Sequence, residues 1–128
     1  MLSSSQQWLL FCAALLGFLG VAGGAFGAHA LKQRITPDNL AIFEVGIRYQ
    51  MYHVLAIILT VWLIGATHGN WAVWAAYSFI CGILIFSGSL YMLVFTGVRM
   101  WGAVTPIGGL LLLLGWIFLA ISALSQKD

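Results

Sequence analysis

The 128-residue chain is 62% hydrophobic and 6% charged, with a formal net charge of +2 and a mean hydropathy of +1.05. A soluble domain carries roughly a quarter of its residues as charges, so this composition excludes a water-facing surface and makes lipid the solvent. The length allows one domain, 1–128, and the few bases form no stripe, which excludes a nucleic-acid partner.

A hydrocarbon core of about 30 Å needs about 20 apolar residues in a helix. Four stretches supply them, at about 7–30, 49–66, 71–93 and 103–124. Lipid offers the backbone no hydrogen-bond partners, so runs of this kind must pair internally as helices. They lack the period-two alternation of a barrel strand. The reading is all-α, an integral membrane four-helix bundle. For the first span a signal peptide is the alternative, because Ala28-His29-Ala30 is a small-residue cleavage pattern. The lack of Lys or Arg before Trp8 and the long apolar run favour retention.

After the first span, Thr36-Pro37-Asp38 reads as a helix start: N-cap, first helical residue, and an acid that complements the positive helix end. Leu40, Ile42, Phe43 and Ile47 are apolar while Asp38, Asn39 and Glu44 are polar. This pattern predicts a short amphipathic interfacial helix at about 37–47, bending near Gly46 into the second span. One straight helix from Pro37 to Ala66 is the competing reading. The first and third loops share one side and carry, with the span ends, Lys32, Arg34, Arg48 and Arg99, against Lys127 on the other. The positive-inside rule then puts both termini outside and loops 1 and 3 in the cytoplasm.

The polar residues gather by depth. With antiparallel spans, His29, Glu44, Arg48, Tyr49, Tyr52, His53, Ser87, Ser89, Tyr91 and Thr105 fall in the cytoplasmic half. The outer half holds mainly Leu, Ile, Val, Ala and Trp. Polar groups in hydrocarbon turn inward to find partners, so the ten form a candidate ligand-binding cluster. The plainer alternative is a network that only stitches the helices together. Gly20, Gly24 and Gly27 on the first span, Gly82 on the third, and Gly108 and Gly115 on the fourth predict close helix packing, within one chain or between copies. Cys12 and Cys81 sit in apolar runs without a CxxC spacing. They suggest small buried hydrophobes rather than a metal or redox site.

At these residues the chain resembles the domain of unknown function 423 family, also called the transmembrane protein 256 family, small four-span proteins of bacterial inner membranes and of eukaryotes. The resemblance rests on Gly24-Ala25-Phe26-Gly27-Ala28-His29-Ala30-Leu31, Arg48-Tyr49-Gln50-Met51-Tyr52-His53, Phe86-Ser87-Gly88-Ser89-Leu90-Tyr91, Thr105-Pro106-Ile107-Gly108-Gly109 and Gly115-Trp116. These motifs cover nearly the whole chain in the expected order. The resemblance implies the topology and a bacterial inner-membrane location, and it carries no established activity.

The function read from the residues is non-enzymatic. A polar pocket on the cytoplasmic side would bind membrane lipid or a small amphiphile, or dock the protein on a larger membrane complex or a second copy. Arg48 and Lys32 would meet an anionic group there. A small oligomeric transporter or channel is the alternative, although the two halves show no internal repeat. A minor alternative has His29 and His53 at similar depth holding haem iron, or a metal site with Met51 or Met92. Glu44 is the one plausible orienting carboxylate for serine–histidine catalysis, so no catalytic residue, cofactor or metal is assigned.

Overall fold

A computed structural model describes residues 1–125; Lys127, the basic residue expected on the outer side, lies outside them. Helix α1, Ser4–Ala22, opens on a capping box. The Ser3 hydroxyl accepts from the Gln6 N–H, and the Gln6 side chain accepts from the Ser3 N–H. The glycine-rich Gly23–Gly27 forms one π-helical turn, and α2, Ala28–Leu31, completes the span. Thr36 caps α3, Pro37–Leu63, by accepting from the Asn39 N–H, with Pro37 at its first position and Asp38 in its first turn. Helices α4, Trp71–Thr96, and α5, Met100–Leu124, follow. Gly65, Gly69 and Gly97 have positive φ. The first two turn the chain from α3 into α4, and Gly97 terminates α4 in the left-handed conformation that glycine adopts without penalty.

The expected break near Gly46 does not occur. Residues 37–47 belong to the same helix as the second span, so the competing single-helix reading describes the chain and the separate interfacial helix is corrected. Gly46 is a notch rather than a hinge. A Cβ there would come within 2.6 Å of the Tyr91 ring, and the Ser87 hydroxyl donates to the Gly46 carbonyl. The missing side chain admits α4, while the unbroken helix keeps the backbone paired.

Among the described residues, four helices are long and apolar enough to cross a membrane: Ser4–Leu31, Pro37–Leu63, Trp71–Thr96 and Met100–Leu124. They form an all-α four-helix membrane bundle. The broadest contact is between α4 and α5, followed by α3 with α4 and α1 with α3. Contacts of α3 with α5 and of α1 with α4 are slight, and among the described residues the backbones of α1 and α5 do not approach each other closely. The spans therefore pack in chain order, leaving seams on both sides of the α3–α4 pair.

The core centres on Leu9, Ile57, Phe79 and Ile83. It lies toward the end that holds the start of α1 and the C-terminal half of α3. Phe11, Phe18, Leu55, Trp62, Leu84 and Leu110 are exposed, as a lipid-facing surface requires. Glycine sets the closest approaches. A Cβ on Gly108 would meet the Phe86 backbone, at 2.7 Å from its Cα, and one on Gly115 would lie 2.5 Å from the Phe79 ring. Gly82 faces Leu112, Gly20 faces Met51, Gly24 faces Ile47 and Gly27 faces Phe43. All six of these contacts are within the chain.

Candidate functional site

Among the residues expected to form the cluster and their partners, polar connections link neighbouring helices. Gln50 projects from α3 between its neighbours: its Nε2 donates to the Leu16 carbonyl of α1 at 2.7 Å, and its Oε1 accepts from the Tyr91 hydroxyl of α4 at 2.8 Å. Ser87 donates to the Gly46 carbonyl at 2.7 Å. Ser89 and Thr105 share a hydroxyl–hydroxyl bond of 2.7 Å between α4 and α5. Among the described residues no buried side-chain nitrogen or oxygen lacks a partner, as hydrocarbon surroundings demand.

His53 makes another connection, nearer mid-span. Its Nδ1 lies 2.6 Å from the Tyr49 carbonyl oxygen, and the Trp116 indole N–H donates to its Nε2 at 3.1 Å. A carbonyl only accepts and an indole N–H only donates. The ring is therefore the neutral Nδ1–H tautomer, with its Nε2 lone pair occupied. Phe79 packs on both partners, with ring centroids 5.5 Å from His53 and 5.3 Å from Trp116.

Beside this pair opens a groove of about 890 Å³ between α3 and α5. Tyr49, Tyr52, Pro106, Leu110, Leu113 and Trp116 form much of its wall. Tyr49 stacks on Phe86 at 4.7 Å. Tyr49 and Tyr52 are 40% and 55% exposed, and among the described residues neither phenol hydroxyl has a hydrogen-bond partner. A smaller cavity of about 340 Å³ lies on the other seam, between α1 and α4, with Gln50 and Tyr91 in its wall.

Comparison with known proteins places the chain in a family. The model for "Protein of unknown function (DUF423)" matches residues 23–109. That span runs from the π-helical turn to the glycine pair of α5. The chain belongs to the DUF423 family. A UPF0382 membrane protein of Staphylococcus aureus (strain bovine RF122) is 43% identical to this DUF423 chain over 91% of it and 95% of the relative. A UPF0382 membrane protein of Staphylococcus haemolyticus is 42% identical over the same shares. The UPF0382 inner membrane protein YgdD of Escherichia coli K12 is 35% identical over 96% of the chain and 94% of the relative. No solved structure matches.

Within this DUF423 fold the ten expected cluster residues divide in two. Ser87, Ser89, Tyr91, Thr105 and His53 turn inward and are bonded. His29, Glu44, Arg48, Tyr49 and Tyr52 are exposed. The expected common depth of His29 and His53 is corrected. His29 is two residues from the end of α2, whereas His53 lies sixteen residues into α3, about 24 Å along its axis. Among the described residues no three of His, Cys, Asp and Glu are grouped to hold a metal ion.

Sequence reasoning passed over Gln50 and Trp116 as site residues, although both stand in the family motifs. An amide in mid-span was the available signal, because it needs partners in lipid. The half expected to face outside is also less uniformly apolar than the sequence reading has it. The Ser122 hydroxyl donates to Thr67 Oγ1, and Gln6 Nε2 donates to the Val61 and Ile64 carbonyls at the end of α3. Gln6 thereby satisfies carbonyls at a helix end that sequence alone left unaccounted.

Proposed function

We propose that this four-span protein is a non-enzymatic component of the bacterial inner membrane that holds a lipid or small amphiphile laterally, in the groove between α3 and α5. The reading rests on one observation: the phenols of Tyr49 and Tyr52 stand on the groove wall without internal partners. At 1.5 Å per residue they sit about 18 and 23 Å from the Pro37 end of a helix about 40 Å long. At that depth an unpaired hydroxyl is costly, and a polar group on an amphiphile whose tail fills the groove would satisfy it. The buried polar groups are bonded to one another, which favours a binding surface over a permeation path.

Photoreactive phospholipid carrying a diazirine on its acyl chain, reconstituted with the protein, tests the reading. Labelling should concentrate on Tyr49, Tyr52, Leu110 and Leu113, above that on the comparably exposed Phe11 and Phe18 of α1. Uniform labelling of all exposed faces would overturn it.

The basic residues orient the protein with both termini outside and loops 1 and 3 cytoplasmic. In a chain whose Cys12 and Cys81 are replaced by alanine, an impermeant maleimide should label Asn70→Cys in intact spheroplasts. Gln33→Cys and Val98→Cys should react only after lysis, and the reverse pattern would invert the assignment.

A further inference from the structure

A second depression, of about 300 Å³, lies on the opposite side of α3 from the α5 groove, lined by Gly24, Ala28, Glu44, Ile47 and Arg48. Glu44 and Arg48 are one helical turn apart, a spacing that ordinarily lets opposite charges pair. Here both are exposed, and among the described residues neither makes an ion pair. Two opposite charges line one hollow without neutralising each other. We propose that this hollow is a headgroup site for a zwitterionic phospholipid bearing a primary ammonium, of the phosphatidylethanolamine class.

Depth and order both support this ligand. Helix α3 has 27 residues, about 40 Å, which exceeds a hydrocarbon core of about 30 Å. Its C-terminal half presents Leu55, Ile58, Leu59 and Trp62 outward, whereas Asp38 stands in its first turn. The excess therefore lies at the Pro37 end. Glu44, about 10 Å along the helix, falls at the core boundary, and Arg48 about 6 Å deeper, a distance its long side chain spans by snorkelling. In the phospholipid the phosphate lies on the acyl side of the ammonium, so phosphate meets Arg48 and ammonium meets Glu44.

The lining also discriminates between headgroups. A carboxylate accepts hydrogen bonds from a primary ammonium, whereas a quaternary ammonium is recognised by aromatic faces, and among the described residues no aromatic side chain lines the hollow. A headgroup with no cation leaves Glu44 opposed to bare negative charge. This site is separate from the α5 groove and does not depend on the reading given to it.

Native mass spectrometry of the purified full chain, offered equimolar phosphatidylethanolamine, phosphatidylcholine and phosphatidylglycerol with identical acyl chains, tests the proposal. The first should be retained about fivefold over either of the others. Glu44→Gln should bring phosphatidylethanolamine down to the phosphatidylcholine level, and Arg48→Gln should lower all three. Arg48→Lys should keep the preference. Both residues are exposed and unpaired, so these variants fold, which a wild-type melting temperature would verify. Equal retention by the wild type, or a preference that survives Glu44→Gln, would overturn the proposal. So would loss of the preference in Leu110→Trp, which fills only the α5 groove. Failure of the diazirine experiment would leave this site standing.

Discussion

Gln50 is the residue on which three helices converge. The residue is 5% exposed and both ends of its amide are used, one on α1 and one on α4. Replacing it by leucine leaves the Tyr91 hydroxyl and a donor-binding position on the Leu16 carbonyl unmatched. Membrane hydrogen bonds average well under 1 kcal/mol, but an abandoned buried partner costs more. Gln50→Leu should therefore lose about 1–3 kcal/mol in reversible unfolding from mixed micelles. Tyr91→Phe should lose less, and the double variant should fall short of the sum by about 0.5–1 kcal/mol. Strict additivity would mean that the 2.8 Å contact carries no energy.

Helix packing here depends on where a side chain is missing. Helices α4 and α5 meet through Gly82, Gly108 and Gly115, where an added Cβ runs into Leu112, the Phe86 backbone and the Phe79 ring. Backbone cannot yield as a flexible side chain does, so Gly108→Ala must separate the two helices. The expected loss is about 1–3 kcal/mol. Gly88, on α4, has open space around it: a Cβ added there would find nothing within 4 Å. Gly88→Ala should therefore stay within about 0.5 kcal/mol of wild type or gain slightly from helix propensity. Thermal denaturation of the two variants side by side checks the pair, and similar losses would refute the packing assignment. The same reasoning applies on α3, which continues unbroken through Gly46: the gap there is filled by the Tyr91 ring.

At the scale of the whole molecule, stability is graded along the chain. Helix α1 rests on α3 and barely reaches α4, while α4 is flanked by α3 and α5. What holds α1 is a few contacts at small residues, such as Gly17 on Val54 and Gly20 on Met51, with the hydrogen bonds of Gln6 and Gln50. Segments with fewer buried contacts open at lower free energy. Hydrogen–deuterium exchange in micelles should show α1 amides exchanging before those of α4 and α5. Equal protection would indicate that α1 is held by something besides α3.

The sequence alone determined the solvent, the four spans, the Thr36–Pro37 helix start and the family, because hydropathy, capping chemistry and contiguous motifs are local properties of the chain. It also singled out Gly20, Gly24, Gly27, Gly82, Gly108 and Gly115, at which a Cβ would meet a neighbouring helix, but it read Gly46 as a bend. Tertiary structure alone decided that 37–47 continues into the second span, since the filling of the Gly46 notch depends on a tyrosine forty-five residues away. It likewise decided which polar side chains meet. Helical periodicity gives each residue a face but leaves the rotation of one helix against another open. That rotation is fixed by close packing, and it turned Ser89 toward Thr105 and His53 toward Trp116 while leaving Glu44, Arg48, Tyr49 and Tyr52 on the outside.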